Sequence, residues 1–129
     1  MLSFPSNVRL YLATSPTDMR KGFDGLSALV EFELGMSPLR GDLFIFLNRR
    51  ATQVRILFWD RDGYCVLAKR LEQGTFRRVK AADGGAGVEI DAGELAMLLE
   101  GIDAKHVRRR KRYRKPEDSA HLQSPHDSA

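Results

Sequence analysis

The sequence predicts a small α+β protein with a single compact domain and an antiparallel sheet of three to four strands. Residues 43–71 contain three apolar segments of strand length, joined by links of hairpin size. Residues 16–34 place apolar side chains at the spacing of a helix. The chain has 129 residues, the length of about one domain. No apolar run approaches the ~18 residues of a transmembrane helix, so a membrane-spanning protein is not predicted.

The first predicted unit is a strand over residues 8–12 followed by a helix over residues 16–34. Ser15 is expected to cap the helix, with Asp18 in the acidic position of a capping box. Two glycines near its start weaken the first turns and favour close packing or a later start. Gly35 is expected to end the helix.

Three strands are predicted next, from Leu43 to Asn48, from Gln53 to Asp60, and from Tyr64 to Leu71. Short links between them predict an antiparallel meander. The middle strand is apolar on both faces, so the sheet needs a cover on each side. The N-terminal helix can provide one cover, and a C-terminal helix or a partner chain can provide the other.

The C-terminal part of the domain is predicted to be short and mixed. Residues 76–80 are compatible with a fourth strand, and residues 81–87 are typical of a flexible link. Asp91 and Glu94 have the spacing of a capping box, which predicts the start of a short helix.

Charge divides the chain into three parts. Residues 1–104 carry 13 basic and 14 acidic residues, and they form the predicted compact domain. Residues 105–115 carry eight basic and no acidic residues, and they form a basic extension. Residues 116–129 carry three acidic residues and are expected to be a disordered tail. The only cysteine, Cys65, cannot form an internal disulfide, which is typical of a protein in the reducing cytoplasm.

Two blocks of sequence resemble a known family. The first is DMRKGFDGL at residues 18–26, and the second runs through FIFLNRR, VRILFWDRDGYC and AKRLEQG over residues 44–74. They resemble the small accessory protein, often labelled TnpB, of the insertion-sequence sixty-six family of bacterial transposable elements. The resemblance covers roughly residues 5–104. Two departures are Arg77-Arg78-Val79, where an aromatic–proline pair is usual, and Ala104, where tryptophan is frequent.

The resemblance implies a non-catalytic accessory role in transposition, because a separate and larger transposase carries the chemistry in such elements. The expected partners are DNA, the transposase and other proteins of the same element, and a second copy of this chain. No membrane partner is expected. A metal-dependent nuclease and a nucleic-acid-binding regulator of the element's expression are the alternative functions.

The basic extension is the main predicted nucleic-acid contact, because lysine and arginine neutralise phosphates and release counterions. Arginine also binds phosphate with two donors at once, and a tyrosine can stack on a base. A protein contact or no role at all are the alternatives. Nine residues carry the prediction: Lys105, Arg108, Arg109, Arg110, Lys111, Arg112, Tyr113, Arg114 and Lys115.

Five further cations within the domain are candidate contacts with DNA or a protein partner. Arg20 and Lys21 are predicted in the first helical turn, where cations oppose the helix dipole. Arg49 and Arg50 are predicted at a hairpin tip, with Arg55 on the next strand. The alternative for all five is a role in surface solubility.

Four aspartates are the candidates for a nuclease site, because phosphodiester cleavage uses carboxylates that hold two metal ions. Helix capping explains Asp18, and turn formation explains Asp60 and Asp62 better than catalysis does. Asp24 completes the set. The sequence therefore predicts no catalytic residue, no metal site and no cofactor.

Overall fold

The computed structural model describes residues 7–78 and 84–100. Within those ranges the chain forms a five-stranded sheet and two helices. The elements are β1 (Leu10–Ala13), α1 (Phe23–Phe32), β2 (Leu43–Leu47), β3 (Gln53–Asp60), β4 (Gly63–Arg70), β5 (Gly87–Ile90) and α2 (Ala92–Glu100).

The sheet has the order β4-β3-β2-β1-β5. The meander of β2, β3 and β4 is antiparallel, as the hairpin-sized links predicted. β1 instead runs parallel to β2, because α1 lies between them in the sequence and carries the chain back to the same end of the sheet. β5 pairs antiparallel with β1 at the edge.

The predicted antiparallel sheet of three to four strands is therefore corrected to a mixed sheet of five. The strand β5 covers Gly87–Ile90, and its first residue lies in the segment predicted as a link. Sequence reasoning missed this four-residue strand because the residues before it are rich in glycine. The expected strand over residues 76–80 is not seen at residues 76–78, and residues 79–83 lie outside the described part of the chain.

Both faces of the sheet are covered by helices. On one face α2 contributes Leu95 and Leu98 to a buried cluster that includes Ile45 and Ile56 of the sheet. On the other face α1 contributes two side chains to the cluster around Phe44, Phe46 and Leu57. All five residues of β2 are buried for this reason. The need for two covers is confirmed, and α2 rather than a partner chain provides the second.

The helix α1 begins at Phe23, seven residues later than predicted. Its N-cap is Gly22, which makes no side-chain cap hydrogen bond. The preceding residues form a loop in which the Thr17 amide donates to the carbonyl of Leu47 at 2.8 Å. Asp18 accepts from a loop amide and not from a helical one, so the predicted capping box is wrong.

Two other predicted helix boundaries lie close to the observed ones, namely the end of α1 near Gly35 and the start of α2 at Asp91. Gly35 lies just beyond α1 with a φ of 66°, the left-handed conformation that turns a chain away from a helix. At α2 the Glu94 amide donates to Asp91 Oδ1 at 2.7 Å, and the Asp91 amide donates to Glu94 Oε1 at 2.9 Å. This reciprocal pair is the predicted capping box.

Leu26 and Phe32 provide a matched test of how α1 is held. Leu26 is 1 % exposed and Phe32 is 79 % exposed. We expect Leu26→Ala to lower the free energy of unfolding by about 2–5 kcal/mol, because it leaves a cavity in the core. Phe32→Ala is expected to change it by less than about 0.5 kcal/mol. Urea denaturation measures both, and equal losses would contradict this packing.

Candidate nucleic-acid interface

The directions of the strands define two ends of the sheet. β2 ends and β3 begins at one end, because Leu47 pairs with Val54. β4 ends there as well, since its last residue Arg70 pairs with Gln53. β1 finishes and β5 begins at this same end. We call it the basic end, and we call the other, at the turn between β3 and β4, the acidic end.

The basic end gathers most of the cations. Twelve lysines and arginines fall within the described part of the chain, and nine of them lie at this end or within three residues of a segment that reaches it. The loop before α1 reaches it through the bond between Thr17 and Leu47. The nine residues are Arg20, Lys21, Arg49, Arg50, Arg55, Lys69, Arg70, Arg77 and Arg78.

The acidic end has the opposite composition. Its three arginines are Arg9, Arg40 and Arg61. Residues 7–78 and 84–100 contain twelve acidic residues, equal to the number of cations. Asp18, Glu72 and Glu100 lie at the basic end, so that end has an excess of cations and not cations alone. The carboxylates at the acidic end are Asp42, Asp60, Asp62, Glu89 and Asp91.

The turn between β2 and β3 is held by the side chain of Asn48. Asn48 Oδ1 accepts from the amides of Thr52 and Gln53 at 2.8 and 2.9 Å. Its Nδ2 donates to Thr52 Oγ1 at 3.1 Å, and its carbonyl accepts from the Ala51 amide at 3.0 Å. Ala51 takes a φ of 57°, which is uncommon for a residue with a side chain. The turn therefore has one well-determined shape.

Arg49 and Arg50 are exposed at the tip of this turn, as the sequence predicted. Beneath them, Arg78 Nη2 donates to the carbonyls of Asn48 and Arg49. Arg78 Nη1 is buried and has no hydrogen-bond acceptor among the described residues. A third guanidinium charge thus lies directly under the two at the tip.

The anchor of Arg78 is the preceding segment. Phe76 is buried, and its amide donates to the carbonyl of Ala51 at 2.6 Å. Arg77 and Arg78 stand where the sequence departs from the usual aromatic–proline pair. The structure shows what this departure does locally, since Arg78 binds the back of the turn.

The loop before α1 holds a close ion pair. Arg20 Nη2 donates to Asp18 Oδ2 at 2.7 Å, and Arg20 Nε lies 3.0 and 3.1 Å from the two carboxylate oxygens. The Arg20 amide also donates to Asp18 Oδ1 at 2.9 Å. The side-chain hydrogen bond from Arg20, followed by the one from its amide, lowers the pKa of Asp18 to about 2. The positive charge of the Arg20 guanidinium group is therefore largely balanced by Asp18 within the loop.

The remaining predicted contacts differ in what they touch. Arg55 is half-buried, and its Nη2 donates to the carbonyl of Met19 at 3.3 Å, so it fixes the loop before α1 to the sheet. Lys21 is exposed on that loop. The structure thus brings Lys21 and the tip arginines to the same end of the sheet, with Arg55 as a support between them.

The helix α2 also ends at the basic end. Lys69 Nζ donates to the carbonyl of Leu99 at 2.6 Å, one residue before the helix finishes. A cation at this position suits the negative end of the helix dipole. The chain therefore leaves the described domain at its basic end. Residues 105–115 and 116–129 lie outside the described residues, so the predictions for the extension and the tail remain predictions.

The four aspartates of the nuclease alternative are not brought together. Asp60 and Asp62 flank the turn at the acidic end, whereas Asp18 lies in the loop at the basic end and Asp24 in the first turn of α1. Across residues 7–78 and 84–100, no three His, Cys, Asp or Glu side chains are placed to hold a metal ion. Neither helix in these ranges is long and apolar enough to cross a membrane.

Several cations of the basic end were missed by sequence reasoning. Arg70 could have been found from the antiparallel register, because the hairpin links place it opposite Gln53. Arg78 carried no such signal, since nothing in the sequence shows that residue 78 returns to the turn at residue 48. The carbonyl contact of Lys69 was hidden in the same way.

Together the mixed sheet, its two covering helices and the separated charge define a small α+β domain with one cationic end. The chain belongs to the family of IS66 Orf2-like proteins, whose sequence model matches residues 8–109. This is a family of accessory proteins associated with transposition of insertion sequences, and it is not a known enzyme family.

Two curated relatives support this membership. An uncharacterised protein of Sinorhizobium fredii, y4hO, is 41 % identical over 106 residues, which is 82 % of this chain and 90 % of the relative. A second uncharacterised protein of that organism, y4jC, is 34 % identical over 110 residues, or 85 % of this chain and 92 % of the relative. No solved structure matches the chain.

The ion pair of the loop yields a pH-dependent prediction. We expect the Asp18 carboxyl to titrate at about pH 2 and Arg20→Gln to move its midpoint toward 3.8. Because the pKa is lowered by folding, the pair stabilises the fold above about pH 4, and this contribution is lost as pH falls through about 2. Carbon-detected NMR titration measures the midpoint.

The control for this titration is Arg40→Gln, which removes one arginine at the acidic end. It is expected to leave the Asp18 midpoint at about 2. A midpoint near 3.8 in the unchanged protein would show that the ion pair does not form in solution.

Proposed function

We propose that this protein is a non-catalytic accessory protein required for transposition of a bacterial insertion sequence, and that it acts by binding DNA. Family membership supports the role in transposition. The observation that carries the binding function is the separation of charge, with nine cations at the end where α2 finishes. The eight basic residues of the segment at residues 105–115 follow Glu100 closely in the sequence.

The physical basis of this function is neutralisation of phosphates. Each lysine or arginine that pairs with a phosphate releases condensed counterions, so affinity is high at low salt and falls steeply as salt is added. Such contacts position a protein on the duplex and carry no sequence information by themselves. We therefore propose binding that is largely independent of DNA sequence, with preference for element ends left to a partner protein.

Contacts with the transposase, with other proteins of the element and with a second copy of the chain belong to the same proposal. The two faces of the sheet are not available for these contacts, because α1 and α2 cover them. The outer edges of β4 and β5 and the exposed Lys21 are candidates in the described domain. A cytoplasmic location is part of this proposal. If the DNA that the protein binds is the element's promoter, the protein also controls the element's expression.

The test is the salt dependence of DNA binding by the full-length protein. In the neutralised variant, each of the five cations Arg108, Arg109, Arg110, Lys111 and Arg112 is replaced by Gln. We expect a weaker affinity for random duplex DNA and a slope of log K against log salt that is less steep by about 4.5, for five lost phosphate contacts. Fluorescence anisotropy at several salt concentrations measures both quantities.

The matched control keeps the charge and changes the side chain. Replacing Arg108, Arg109, Arg110 and Arg112 by Lys leaves the charge intact, so the slope is expected to stay close to that of the unchanged protein. If the neutralised variant bound DNA as tightly as the unchanged protein at every salt concentration, the extension would have no part in binding.

A further inference from the structure

We propose that the turn Asn48–Thr52 is a phosphate-binding site on the folded domain and holds the backbone of a nucleic acid. The inference rests on the proposed function, because it assumes that the chain binds DNA. It goes further in assigning an ordered site to two residues, Arg49 and Arg50, separate from the extension at residues 105–115.

The turn offers hydrogen-bond donors that have no acceptor of their own. The amides of Asn48, Ala51 and Thr52 donate within the turn, to Gln53, Asn48 and the Asn48 side chain. The amides of Arg49 and Arg50 have no acceptor in the part of the chain that the structure describes. Adjacent free peptide amides are a recurring element of anion sites.

The guanidinium groups at the tip are likewise uncommitted. Arg49 and Arg50 are exposed, and neither pairs with a carboxylate among the described residues. Two of the carboxylates at this end are bound elsewhere, Asp18 to Arg20 and Glu72 to Arg70. No ion pair within residues 7–78 and 84–100 therefore has to be broken before these two arginines meet a phosphate.

Arg78 binds the carbonyl oxygens of the turn that would repel an anion if they were free. It donates to the carbonyls of Asn48 and Arg49, so these two oxygens are engaged from below. Its own charge adds to the positive potential at the tip, and its second terminal nitrogen is buried without an acceptor in the described residues. Arg78 is thus a positioning residue, whereas Arg49 and Arg50 are the contacting ones.

The turn is also extensively hydrogen-bonded without a ligand. The Asn48 side chain accepts two hydrogen bonds and donates one within the turn, and Ala51 lies buried against the core. A preorganised site loses less conformational freedom on binding than a flexible one. This distinguishes the turn from an ordinary basic loop.

A nucleic acid suits this site better than an acidic protein. The turn shares the basic end with Lys69, which binds the last turn of α2, and the chain continues from there toward the basic extension. A ligand that contacts the tip and then continues along this end meets further cations. A regular, extended polyanion satisfies that arrangement, and a phosphodiester backbone is the common biological example.

The experiment compares two double variants of the full-length chain. Arg49→Gln with Arg50→Gln removes two charges from the basic end, and Arg40→Gln with Arg61→Gln removes two from the acidic end. We expect the first to weaken binding to a 20-base-pair random duplex and to reduce the salt slope by about 1.8, for two lost phosphate contacts. The second is expected to leave the slope within about 0.5 of its original value. Thermal melting confirms that both variants are folded.

The outcomes separate this inference from the proposed function. An unchanged protein that does not bind DNA at low salt overturns both. Binding by the unchanged protein, with the same loss of slope in the two double variants, overturns the site at the turn and leaves DNA binding standing. Competition by a poly-glutamate peptide as effective as that by duplex of equal charge overturns the nucleic acid as the ligand.

Discussion

The antiparallel pairing of β2 with β3 determines where the charged residues of this domain lie. Leu47 opposite Val54 sets the register, and the next hairpin brings the end of β4 to the same edge. With that register, a chain whose described part has no net charge places nine of its cations at one end. A one-residue slip would turn the apolar side chains of β3 to the wrong faces, so core packing protects the charge pattern.

The two covering helices determine which surfaces of the sheet remain exposed. Because α1 and α2 cover both sheet faces, the large apolar surfaces are used internally. The two ends of the sheet and the outer edges of β4 and β5 are left uncovered by these helices, and four large apolar side chains are exposed: Phe23, Phe32, Leu39 and Leu67. An excess of positive charge at one end orients a polyanion before contact more effectively than the same charge spread evenly over the surface.

Local signals in the sequence predicted the hairpins, the two-sided core and the capping box at Asp91, because each depends on neighbours a few residues apart. The parallel pairing of β1, the late start of α1 and the strand β5 escaped prediction. Each is set by tertiary contacts: the loop before α1, for example, is held by Leu47 and Arg55 and not by a helix cap. The tip arginines were predicted, but the contribution of Arg78 could not be, since its contact with Asn48 joins residues 30 apart.

The most direct test of this account is to map the DNA contact on the full-length chain by amide chemical shifts during titration with a short random duplex. The account predicts that shifts concentrate at the basic end, in residues 48–53, 69–72 and 76–78. Residues 40–42 and 60–62 at the acidic end should stay unchanged. Shifts of equal size at the two ends would show that the separation of charge does not orient the protein on DNA.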